Sequence, residues 1–145
     1  MGNKYNYINN AFFILIVAKR AFIIHGWGSS PDDGWKPWLK RKLEEKGFSV
    51  FVPQMPNPEK PILSEWVGAI AEAVRKPGSE CYFVGHSLGC IAILRYLETI
   101  DVEVCGVVLV AGFSDYLLIK DVKNFFLAPI SWAKIRENAK KFIAI

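Results

Sequence analysis

At 145 residues the chain is long enough for one domain with its own core, held without disulfides or a structural metal. Its 52% hydrophobic and 22% charged content suits a sheet buried on both faces, and a net charge of +4 is too small for a nucleic-acid surface. Lys40-Arg41-Lys42, the densest basic cluster, runs straight into Glu44-Glu45, which is the pattern of a solvated helix face.

Residues 1–18 differ from the rest. Asn3, Asn6, Asn9 and Asn10 lie among tyrosines, and an apolar run of eight residues, 11–18, follows. That run falls short of the roughly 20 residues a bilayer-spanning helix needs. Lys19-Arg20 stands where a signal peptide would need small residues for cleavage. We therefore expect no membrane association and a cytoplasmic location. Residues 1–18 are expected to be an atypical extension, with the true start near Val17, and residues 19–145 an incomplete domain. The three cysteines, Cys81, Cys90 and Cys105, have no zinc-ligand spacing and read as small core residues in a reducing compartment.

From residue 19 the pattern is orderly. Residues 20–24 predict a strand that ends in the glycine loop His25-Gly26-Trp27-Gly28. Residues 29–34 supply turn and helix-start residues, Asp32 and Asp33 among them. Trp35, Trp38, Leu39 and Leu43 then recur at helical spacing up to Gly47. Residues 48–52 predict a second strand, closed by the extended loop of Pro53, Pro56 and Pro58. Ile62, Leu63, Trp66, Val67, Ile70 and Val74 mark an amphipathic helix that Pro77-Gly78 ends. A third strand spans 81–84, and the helix from Leu88 to about Glu98 is apolar nearly all round. A fourth strand spans 104–111, two looser helical stretches cover 117–126 and 130–141 with a break at Pro129, and a fifth strand begins at Phe142.

This alternation implies right-handed crossovers and a three-layer α/β/α sandwich on a mostly parallel sheet. Ligands bind such sheets beyond the carboxyl ends of the strands. His25-Gly26-Trp27-Gly28, Gly85-His86-Ser87-Leu88-Gly89 and Gly112-Phe113-Ser114-Asp115 all fall at those ends, so three turns converge on one crevice.

The second of these turns is Gly-x-Ser-x-Gly after a strand and before a helix, the context in which a serine is lifted clear of the sheet on a strained turn. Gly85 and Gly89 are required where a Cβ would meet the neighbouring strand or the following helix. The Leu88 N–H, in the first turn of that helix, points where an oxyanion would form. Ser87 is the candidate nucleophile.

These residues resemble an α/β-hydrolase family, the YdeN-like serine hydrolases related to retinoblastoma-binding protein nine. The matching residues are His25-Gly26-Trp27-Gly28-Ser29-Ser30-Pro31 with Trp35 and Trp38, Pro53-Gln54-Met55-Pro56-Asn57-Pro58, Trp66, Gly85-His86-Ser87-Leu88-Gly89 and the strand 107–112. The resemblance covers about residues 19–145 and implies a compact serine hydrolase of esterase or amidase type, without a large lid, acting on small ester or amide substrates. It makes Ser87 the nucleophile and the N–H groups of Leu88 and Trp27 the oxyanion hole. His25, Gly26, Gly28, Gly85, His86 and Gly89 support them. Pro53, Met55, Pro56, Asn57, Phe113 and Asp115 flank the substrate crevice. No cofactor and no metal is implied.

The resemblance also implies a gap. A serine hydroxyl needs a histidine base oriented by a carboxylate. In the family both follow the strand that here begins at Phe142, so the fold is expected to be truncated at about its fifth strand of six and the chain alone to be inactive. Of the two histidines, His25 is expected to orient the oxyanion loop, and His86 points away from its neighbour Ser87. Asp115 is expected to be a loop or capping residue. The alternative is a non-catalytic binding module derived from such a hydrolase. A flavodoxin-like nucleotide binder is disfavoured, because residues 25–28 lack a phosphate loop's glycine spacing. In either hydrolase-derived reading the bare sheet edge is expected to promote self-association.

Overall fold

The computed structural model describes residues 17–116 and 118–145. The expected N-terminal extension, up to residue 16, lies outside the described residues. Five strands form one sheet: β1 (Arg20–Ile24), β2 (Ser49–Phe51), β3 (Cys81–His86), β4 (Gly106–Val110) and β5 (Phe142–Ala144). Their order is β2-β1-β3-β4-β5 and every pairing is parallel. The chain moves outward from β1 to β2, then returns to place β3 on the other side of β1. The switch point therefore lies between β1 and β3, whose register pairs Ile24 with Gly85.

Alternation along the strands sorts the two faces. Phe22, Ile24, Cys81, Phe83 and Val107 point into a core with Trp66, Ile70 and Val74 of α2 (Leu63–Val74) and Ile91 and Leu94 of α3 (Leu88–Leu97). All ten residues of α3 are buried, as expected of a helix apolar on every side. Arg95, in the last turn of α3, is buried because its guanidinium is satisfied by the carbonyls of Phe125 (3.0 Å), Ala128 (2.5 Å) and Pro129 (3.2 Å) and by Glu98 (3.0 Å). Asn138 closes the far end of the same helix, its amide donating to the carbonyls of Leu97 (2.9 Å) and Ile100 (2.7 Å).

The opposite face is thinly covered. α1 (Lys36–Glu44) lays Leu39 and Leu43 against it, and beside that helix an apolar cleft of about 650 Å³ opens over Tyr82, Val84, Val108, Val110 and Ile143. At the sheet margin Phe142, Ile143 and Ile145 are exposed.

Several boundaries differ from expectation. Residues 120–126 form a 3₁₀ helix, Lys120–Phe126, and not α-helix. There the Asn124 side chain reaches across to accept the Leu63 N–H and donate to the Pro61 carbonyl, which serves the start of α2 in place of a local cap. The last helix, α4 (Trp132–Glu137), stops four residues before Lys141 because Asn138 turns inward and Ala139 bridges Val104. That bridge also delays the regular pairing of β4 to Gly106.

The bare β5 margin and the apolar cleft beside it predict that the 145-residue chain, made alone, self-associates. Light scattering should report a mass above the 16.4 kDa of one chain, and a monodisperse monomer contradicts this.

Candidate active site

Ser87 joins β3 to α3 with φ +53° and ψ −119°, a conformation that a residue with a Cβ rarely adopts. Two glycines allow it. A Cβ at Gly85 would lie 2.8 Å from the Cys90 backbone nitrogen, and one at Gly89 would lie 2.6 Å from the His25 carbonyl oxygen and closer still to that of Ile24. The first turn of α3 is thus pressed against the end of β1, where no side chain fits. The elbow is pinned on both sides: the Ser87 N–H donates to the Val110 carbonyl at 2.9 Å, and the Cys90 N–H donates to the Ser87 carbonyl at 2.9 Å.

The loop after β1 closes on this serine. A Cβ at Gly26 would stand 3.1 Å from the Ser87 Cβ and 3.2 Å from the His86 carbonyl oxygen, so a side chain there would crowd the elbow. Neither the Trp27 nor the Leu88 N–H has a partner among the described residues, and both belong to the turns that meet at Ser87. The Trp27 indole is exposed and donates to the Glu59 carbonyl at 3.0 Å, while the Gly28 N–H donates to Pro58 at 2.9 Å.

His25 holds the two loops together. It is fully buried, its Nε2 accepts the Met55 N–H at 2.9 Å, and its Nδ1 therefore carries the proton and donates to the Gly26 carbonyl at 2.8 Å. Both ring nitrogens are occupied, which leaves neither free to act as a base. His86 faces the α1 side of the sheet, its ring edge-to-face with Trp35 at 5.8 Å, and its Nδ1 is buried without a partner. Burial pushes the pKa of both rings down, and the Lys36 charge pushes each further.

Of the crevice residues, Pro56 and Asn57 line an open cleft of about 810 Å³ with Gly28, Asp33, Gln54 and Glu59. Met55 is fully buried and serves that wall by packing and through its N–H to His25. Pro53 is half-buried at the end of the second strand's turn. Phe113 is half-buried against Phe126, with ring centroids 5.8 Å apart. Asp115 is exposed and accepts the Tyr116 N–H at 2.7 Å, a turn residue as expected. Asp33 likewise serves its own turn, accepting from the Ser30 N–H and the Ser29 hydroxyl. Among the described residues no cluster of His, Cys, Asp or Glu is arranged to hold a metal, and no helix is long and apolar enough to cross a membrane. The sequence reading passed over Lys36, which is 3% exposed; its spacing of three and seven residues from Leu39 and Leu43 puts it on their inward face.

A profile of the serine hydrolase family matches residues 21–141. The chain belongs to that family. It is 35% identical over 127 residues to the hydrolase YdeN of Bacillus subtilis (strain 168), covering 86% of this chain and 67% of that one. It is 30% identical over 122 residues to the serine hydrolase RBBP9 of Rattus norvegicus, covering 82% of this chain and 64% of that one. The chain thus spans about two thirds of the length of these relatives. The crystal structure of the B. subtilis ydeN gene product superposes with a TM-score of 0.82 at 36% identity, over 88% of this chain and 71% of that one. The fold is that of the α/β-hydrolases.

The two histidines give this serine hydrolase domain a defined acid response. Each has a folded pKa below its unfolded value of about 6.5, so below that pH the unfolded chain takes up protons that the folded chain refuses. The melting temperature should hold between about pH 8 and 7 and fall between about pH 6.5 and 5, before the lowered carboxyls of Asp33 and Glu80 begin to titrate. A flat profile over the lower interval, by circular dichroism melts, contradicts this.

Proposed function

We propose that this chain carries the nucleophile half of an esterase- or amidase-type active site for small substrates. Ser87 is the nucleophile, and the Leu88 and Trp27 N–H groups are the oxyanion hole. The observation that carries the reading is the positive-φ serine on a strand–turn–helix elbow, with the Gly26 loop closed against it and two backbone N–H groups unspent. In the reaction the Ser87 oxygen attacks the carbonyl carbon, its proton passes to a base, and the carbonyl oxygen gathers negative charge between the two N–H groups.

The base is the open question for chemistry within this chain. His25 spends both ring nitrogens on Gly26 and Met55, and His86 turns its ring to Trp35. Neither is set to take the Ser87 proton. The same observation favours a second reading, a binding module that keeps the crevice without turnover. A broken triad runs slower by roughly 10⁶-fold, so the 145-residue chain alone is expected to be all but inactive.

The two readings separate on chemical rescue. The chain is incubated with a fluorophosphonate, with and without added imidazole as a diffusible base, and its intact mass is measured. In the expected reaction the Ser87 oxygen bonds to phosphorus, fluoride leaves, and imidazole takes the proton. The hydrolase reading predicts an imidazole-dependent adduct on Ser87 that Ser87→Ala abolishes. No adduct under either condition contradicts it and leaves the binding module.

A further inference from the structure

Lys36 breaks three ordinary rules at once. It is 3% exposed, although a lysine is almost never so buried without an opposite charge to pair with. Among the described residues no carboxylate makes a direct ion pair with its ammonium, and Asp33 acts on it only across the Ser29 hydroxyl. It also opens α1, at the end of the helix where the backbone dipole already presents positive charge. A methionine would bury the same stem without desolvating an ammonium, so packing alone does not account for the residue.

What the ammonium does touch is the loop beside Ser87. Its Nζ donates to the Ser29 hydroxyl oxygen at 3.2 Å, and that hydroxyl donates onward to Asp33 at 3.0 Å. The same Asp33 oxygen accepts the Ser30 N–H at 2.6 Å. The Ser29 N–H in turn donates to the Gly26 carbonyl at 3.3 Å, the oxygen that His25 also binds. The loop is therefore braced from one side by Pro58 and His25 and from the other by Lys36. Trp35, the residue before Lys36, lies against His86, the residue before Ser87.

We propose that Lys36 is a positioning residue of this site: anchored on Ser29, its ammonium braces residues 26–30 beside Ser87 and fixes a positive charge on that loop. This rests on the hydrolase reading above and adds a residue to it. Negative charge gathering on a substrate oxygen would be favoured by a cation that is held in place and already oriented before reaction. Burial is the main cause of the depressed basicity of His86 and His25, and Lys36 adds to it at both rings, with the Asp33 charge opposing it at His25 alone.

The test is a pH titration of the His86 and His25 ring protons by NMR in the wild-type chain, Lys36→Met and Lys36→Arg. Lys36→Met should raise the His86 midpoint, and Lys36→Arg, which keeps the charge, should restore the wild-type curve. A purely structural role would not distinguish charge from shape in this way. Lys36→Met is expected to fold, since it removes a desolvated ammonium; Lys36→Gln replaces it if it does not. Curves for both rings that coincide in wild type and in the neutral variant overturn the proposal. In the same samples, imidazole-dependent phosphonylation of Ser87 should slow about tenfold in Lys36→Met. A wild-type chain that never labels counts against the hydrolase reading, whereas coincident titrations count against Lys36, so the two failures are told apart.

Discussion

The close approach of α3 to the end of β1 governs this molecule. At Gly89 the helix backbone lies against the carbonyls of Ile24 and His25, and at Gly85 the strand lies against the backbone of Cys90. Because nothing larger than hydrogen fits at either point, the turn between them must be tight, and Ser87 is driven to positive φ at its apex. The same contact sets the switch point of the sheet. β1 and β3 end side by side, so the loop after one and the elbow after the other meet at Gly26 and Ser87. Backbone geometry thus places the candidate nucleophile and two N–H donors together before any side chain takes part.

Side chains then hold what the backbone arranges. His25 ties the Gly26 carbonyl to the Met55 N–H, and Trp66 ties the Pro56 carbonyl to α2 with a 2.7 Å bond. Among the described residues no buried side-chain nitrogen or oxygen on the α2 and α3 side lacks a partner, as low-dielectric packing demands. The α1 side is looser. Its apolar cleft is open, the His86 Nδ1 is unpartnered, and the Lys36 ammonium has one hydroxyl for company. Unspent polar capacity is therefore concentrated on one face, next to Ser87.

Most of the fold was legible because its signals are local. The apolar runs that became β1 and β3, the helical spacing of Trp66, Ile70 and Val74, and the glycines around Ser87 each carry their own physical reason within a few residues. What was not legible depended on distant partners. Residues 120–126 fall in a stretch that reads only as loosely helical, and with Asn124 drawn to Pro61 and Leu63 it is a 3₁₀ turn. Asn138 reads as surface until the end of α3 claims its amide. Lys36 was visible in principle from helical spacing, but a lysine between two tryptophans and a proline reads as solvated unless the burial of that face is known.

The elbow account stands or falls on whether the missing side chain at residue 89 is what shapes the turn. Equilibrium denaturation of Gly89→Ala tests this, with Gly68→Ala as its control, since a Cβ at exposed Gly68 in α2 meets nothing within 4 Å. Gly89→Ala should lose about 3 kcal/mol or more, because the methyl group can be relieved only by moving backbone. Gly68→Ala should gain about 0.5–1 kcal/mol from helix propensity. A Gly89→Ala chain as stable as wild type would contradict the claim that this contact forces Ser87 into place.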